Sequence, residues 1–77
     1  VDLDAAKIEF ARGGLEEVMI EPAQEANGWM VVVREAGGKP VQITDHGGAV
    51  KVYHTLEHAT EVARAIGFAT VRVEESF

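Results

Sequence analysis

Three observations predict an α+β fold of order α-β-β-β-β-α-β, a mostly antiparallel meander sheet with two helices packed on one face. Valine outnumbers leucine eleven to three, the balance of a core built largely from strands. The glycine pairs Gly13-Gly14, Gly37-Gly38 and Gly47-Gly48, with single glycines at Gly28 and Gly67, cut the chain into short segments. Two of those segments repeat apolar residues at helical spacing, and the others alternate them. Seventy-seven residues leave room for one domain, so 1–77 is read as a single unit.

The first segment, Asp2 to Arg12, is predicted to be a helix. Asp2 or Asp4 can cap it, because a short carboxylate accepts from the free N–H groups of the first turn. Leu3, Ala6 and Phe10 form its apolar stripe, and Gly13 supplies a left-handed exit. Leu15 to Glu21 mixes strand residues (Val18, Met19, Ile20) with helix-favouring Glu16 and Glu17. A strand is the better assignment, because Gly-Gly precedes it and Pro22 ends it. Ala23 to Gly28 is then a polar loop. Trp29 to Glu35 is the clearest strand, with Trp29, Val31 and Val33 on one face and Met30, Val32 and Arg34 on the other. Both faces are largely apolar, which places it centrally in the sheet. Gly37-Gly38 suits a two-residue hairpin turn, and Val41 to Thr44 is the return strand. Asp45-His46-Gly47-Gly48 forms a second turn. Val50, Val52 and His54 then alternate with Lys51 and Tyr53 in a further strand. Leu56 to Ile66 is a helix capped by Thr55, with Leu56, Ala59, Ala63 and Ile66 in a stripe that Val62 widens. That stripe is expected to pack on Val31, Val33, Val50 and Val52. Gly67 ends the helix, Phe68 closes the turn, and Ala69 to Glu74 is the last strand.

Composition excludes several functions. There is no cysteine, which removes disulfides, thiol catalysis and thiolate metal sites. No apolar run approaches the ~18 residues of a membrane span, and no secretory signal opens the chain, so a cytoplasmic setting is expected. Thirteen acidic residues against seven basic ones give a net charge of −6. That charge opposes phosphate, so direct nucleic-acid binding is not expected. It favours a basic protein partner and speeds encounter with it.

Motifs that resemble catalytic sites fail on geometry. His54-Thr55-Leu56-Glu57-His58 matches H-x-x-E-H, a zinc-peptidase pattern that needs both histidines on one helix face. With Thr55 as the cap, His54 lies outside the helix, and no third ligand follows. Gly37-Gly38-Lys39 lacks the length of a phosphate-binding loop and leads into Pro40 and a strand. Glu16, Glu17, Glu21 and Glu25 could supply an acid/base pair but read as a solvated acidic face. No catalytic residue, metal site or cofactor is therefore expected.

The segments Glu21-Pro22-Ala23, Gly28-Trp29-Met30-Val31-Val32-Val33, Val50-Lys51-Val52-Tyr53-His54-Thr55-Leu56, Ala63-Arg64-Ala65-Ile66-Gly67-Phe68 and Val71-Arg72-Val73 together resemble the ParC-like partition-associated proteins of bacterial plasmids and conjugative elements. These are distinct from the topoisomerase subunit of that name. The resemblance covers about Leu15 to Glu75 and brings no catalytic motif. It implies a non-enzymatic accessory or adaptor role in DNA partition, acting through a protein partner such as a basic DNA-partition protein. An acidic nucleic-acid mimic that inhibits a DNA-binding protein is the alternative. A third reading, single-strand binding on the sheet through Arg34, Lys51, Tyr53 and Arg72, has too few basic residues against the net charge. A single core of this size gains only roughly 3–5 kcal/mol, so cover from a partner or a homodimer is expected. The residues assigned to that contact are Lys51, Tyr53 and Arg72, with Tyr53 exposed on the open sheet face.

Overall fold

In the computed structural model, which describes residues 1–23 and 27–74, the sequence folds as α1 (Leu3–Ala11), β1 (Leu15–Pro22), β2 (Trp29–Glu35), β3 (Pro40–Gln42), β4 (Val52–Tyr53), α2 (Leu56–Ile66) and β5 (Arg72–Val73). The centre of the expected polar loop, residues 24–26, lies outside the described residues.

Both helices end as their sequences predict. The Asp2 carboxylate accepts from the Ala5 N–H at 2.8 Å and caps α1. At the other end Gly14 N–H donates to Glu9 O (2.8 Å) and Gly13 N–H to Phe10 O (3.0 Å). That bond pair is a Schellman exit, and Gly13 takes the positive φ of 79° it requires. Thr55 Oγ1 accepts from His58 N–H at 3.1 Å at the start of α2, and Gly67 closes it at φ 136°.

The sheet is mixed and mostly antiparallel, with helices packed on one face, so the α+β class holds. Its topology differs from a meander in two places. β1, β2 and β3 run antiparallel in the order β3-β2-β1, but β5 lies parallel to β1 on its outer edge. The cause is the α2 crossover. β4 runs in the same direction as β1, and the helix between β4 and β5 returns the chain so that β5 enters in that direction again, on the far side of β1.

The second difference concerns β4, which pairs with β2 and not with β3. Val32 and Val33 of β2 face Gln42 and Val41, while Met30 and Trp29 face Val52 and Tyr53. β3 and β4 thus lie along the same edge of β2 in the same direction. Between them, residues 44–51 leave the sheet as a small hairpin. It is closed by the Asp45 N–H to Ala49 O bond (2.8 Å) and by the Lys51 N–H to Ile43 O bond (3.0 Å). Asp45 Oδ1 also accepts from Gly47 and Ala49, which fixes the tip. The β2–β3 hairpin differs more simply. Its loop holds three residues, Ala36-Gly37-Gly38, because Glu35 N–H already bonds Lys39 O (2.9 Å).

The core fills the space between the helices and the covered face of the sheet. Val18 and Ile20 of β1, Val31 and Val33 of β2, and Ile43 are fully buried there, with Ala6 of α1 and Ala59 and Ala63 of α2. Alanine at the closest points lets the helices approach the sheet. Phe10 and Phe68 meet edge to face, centroids 4.7 Å apart, and join the end of α1 to the exit of α2. The expected packing of the α2 stripe on Val31 and Val33 is present. Val50 and Val52 are not part of it. Val50 is exposed on the excursion, and Val52 shares the uncovered face with Met30. The last strand is also shorter than Ala69 to Glu74, with only Arg72 and Val73 in the ladder.

Candidate protein-interaction surface

Paired residues in neighbouring strands share a face, so the register defines the uncovered side of the sheet. Across β1, β2 and β3, one row is Glu17, Arg34 and Pro40, and the next is Met19, Val32 and Gln42. A third row runs Glu21, Met30 and Val52. Arg72 of β5 lies beside Met19. The face is therefore divided. One end is ionic: Glu17 sits between Arg34 Nη2, at 2.5 Å, and Arg72 Nη1, at 3.4 Å. Arg72 Nε also reaches Glu74 at 2.8 Å. Arg34 Nε points toward Glu16 at 4.0 Å, too far for a hydrogen bond. The other end is apolar, with Met19, Met30 and Val52 half-buried around the buried Val32. The amide of Gln42 lies over Met30 Sδ at 3.9 Å. Two methionines give this end an adaptable surface, since a thioether side chain repacks readily.

The structure separates the three residues assigned to the contact from sequence. Arg72 is on the uncovered face. Lys51 is exposed on the excursion, away from the sheet rows. Tyr53 is buried on the opposite, helix-covered face, where it pairs with Trp29 across the ladder. Its ring meets that of His58 edge to face at 5.0 Å. The expectation of an exposed Tyr53 is thus corrected by one residue of register. Alternation from Val50 assigns Val52 inward, but the pairing of β4 with β2 is what fixes its faces, and that puts Tyr53 inward. Lys51, Tyr53 and Arg72 form no common surface. The residues that do share one, Met19, Met30 and Val52, are partly visible in sequence as the phase opposite to Trp29, Val31 and Val33.

Burial raises the pKa of the Tyr53 phenol above its ordinary value near 10.0. The neutral ring favours folding, so this contribution is fully present below pH ~10 and is lost as pH rises through the raised value. Tyr53 is the only tyrosine. A phenolate absorbance titration should therefore show a single midpoint above that of the unfolded chain in denaturant. Equal midpoints in both states would place the ring in water.

The excursion is tied to the start of α1. His46 Nδ1 lies 3.1 Å from Asp2 Oδ2, while the other Asp2 oxygen caps the helix. The Ala5 N–H, and then His46, hold the Asp2 carboxyl below the usual carboxylate range. That contribution is present at neutral pH and is lost as acid protonates the carboxylate.

Of the motif residues, His54 is exposed in the bend before α2, while His58 belongs to the first turn of α2. Among the described residues no group of three His, Asp or Glu side chains could hold a metal. No helix among them is long and apolar enough to cross a membrane. Lys39 follows the tip of the β2–β3 hairpin. Glu16 and Glu17 are engaged with Arg34, Glu21 borders the apolar end of the open face, and Glu25 lies outside the described residues.

No family model, curated protein or solved structure matches this chain.

Proposed function

We propose that this chain is a non-enzymatic adaptor that binds a basic protein partner through the uncovered face of its sheet. Following the sequence resemblance, that partner is a DNA-partition protein in the bacterial cytoplasm. The observation that carries the reading is the division of this face. An adaptable apolar end of Met19, Met30, Val32 and Val52 adjoins a rim holding Glu16, Glu17, Glu21 and Glu74 against Arg34 and Arg72. An apolar centre with a charged rim is the usual anatomy of a protein contact. The excess of acid, with −6 on the whole chain, selects a basic surface and repels nucleic acid.

The test is crosslinked capture from cells that carry the partition genes, comparing the native chain with Met30→Asp. Met30 is only half-buried, so the variant should keep the fold, which its melting curve checks. The expected result is enrichment of a basic partition protein by the native chain and a loss of about tenfold or more in the variant. Enrichment of a nuclease or restriction complex instead would support the nucleic-acid mimic. Equal capture by Met30→Asp would remove this face from the contact. Retention of the purified chain on duplex DNA at ~150 mM salt would overturn the charge argument.

A further inference from the structure

The two edges of the sheet are treated differently. On the β3 side, Thr44 N–H donates to Val1 O at 2.7 Å and Asp2 bridges Thr44, so residues before α1 cover part of that edge. On the β5 side, Glu74 N–H donates inward to Ile20 O at 2.8 Å. Backbone direction alternates along a strand, so Arg72 and Glu74 turn their N–H and C=O groups toward β1. Val71 and Val73 turn theirs outward. Among the described residues nothing pairs with that outer side of β5. Val73 is 39% exposed beside it.

We propose that this edge joins two copies of the chain, β5 against β5 in antiparallel register centred on Val73, to give one continuous sheet through a two-fold axis. The short sequence Arg72-Val73-Glu74 is self-complementary in that register. Val73 of each copy exchanges both outward backbone bonds with Val73 of the other. Arg72 of one copy comes directly opposite Glu74 of the second, and the reverse. Arg72 and Glu74 lie on the same face of β5, as their 2.8 Å contact requires, so both cross-strand ion pairs form on the uncovered side. Both side chains are accessible for the exchange, at 61% and 41% exposure. The net charge of −6 opposes self-association in general, but at this edge the charges balance locally. An isologous contact of this kind closes at two copies and leaves no further β5 edge to extend. The contact is made by the sheet edge and does not depend on a partner at the open face.

Sedimentation analysis of the native chain from micromolar to millimolar concentration tests it. The expected result is a monomer–dimer equilibrium. Val73→Pro removes an N–H that the β1–β5 ladder does not use, so it should keep the monomer fold and abolish the dimer. Arg72→Glu and Glu74→Arg each place like charges opposite one another and should weaken the dimer about tenfold or more. The double variant R72E/E74R restores opposite charges in both pairs and should recover affinity to within about threefold of native. If Val73→Pro does not fold, the charge series alone decides. A native chain that stays monomeric through the millimolar range would overturn the proposal. A dimer indifferent to both the proline and the charge exchange would overturn it equally.

Discussion

Ala63→Glu is expected to leave the chain unfolded, or nearly so, at neutral pH. Ala63 is fully buried on the sheet side of α2, in the same cluster as Val18, Ile20, Val31 and Val33. The new carboxylate would meet no charged partner there, and its length would force the helix off the sheet. Burying an unpaired charge costs several kcal/mol even after its pKa adjusts. The whole domain has roughly 4–12 kcal/mol to lose, at ~0.05–0.15 kcal/mol per residue. Ala63→Gly separates the two causes. It keeps the site small and loses helix propensity, about 1 kcal/mol, and the burial of one methyl group, about 0.8 kcal/mol. Thermal and urea unfolding of both variants gives the comparison. An Ala63→Glu variant that melts within a few degrees of native would mean that α2 does not present this face to the sheet.

Tyr53→Ala is expected to cost roughly 3–5 kcal/mol, the range for deleting a buried aromatic ring. The ring lies between the first turn of α2, through His58, and the start of β2, through Trp29. Its loss therefore loosens the attachment of β4 and the cap of α2 together. Tyr53→Phe should fall within about 1 kcal/mol of native, because it keeps the packed ring. The pair of variants separates two roles for this residue. A core residue lowers stability in the alanine variant and leaves partner or self-association intact at temperatures where the fold survives. A contact anchor does the opposite, and association lost at unchanged stability would contradict the burial described here.

Much of the fold is legible in local chemistry. The caps at Asp2 and Thr55, the exits at Gly13 and Gly67, and the double-faced apolar run of Val31, Val32 and Val33 each state their own role within a few residues. Their positions agree with the structure because capping and alternation are short-range rules. The parallel placement of β5 depends instead on which edge the α2 crossover delivers the chain to, which no local signal encodes. The face of Tyr53 is hidden for a related reason. Lys51, Val52 and Tyr53 alternate correctly, but the phase is set by Trp29 and Met30, more than twenty residues away in the chain. The contact assigned from sequence inherits that error. Arg72 alone remains on the open face, while Met19, Met30 and Val52 are brought together by pairings that sequence alternation leaves undetermined.

The excursion between β3 and β4 has a consequence for how the protein can be altered. Ile43 bonds Val31, and Val52 stands opposite Met30, the next residue along β2. Ile43 and Val52 thus take consecutive places along β2, and the eight residues 44–51 between them leave the inward and outward phases of the edge unchanged. The edge strand is in this sense already complete, and the hairpin is an insertion into it. Its two ends stay side by side on the sheet, so lengthening it carries only a slowly growing closure entropy. Shortening or lengthening it leaves Tyr53 facing inward, because the pairing of Val52 and Tyr53 with Met30 and Trp29 fixes their faces. Foreign peptides grafted at Gly47-Gly48 would thus be displayed at the sheet's rim, whatever their length, with Tyr53 still held inward by its pairing with Trp29.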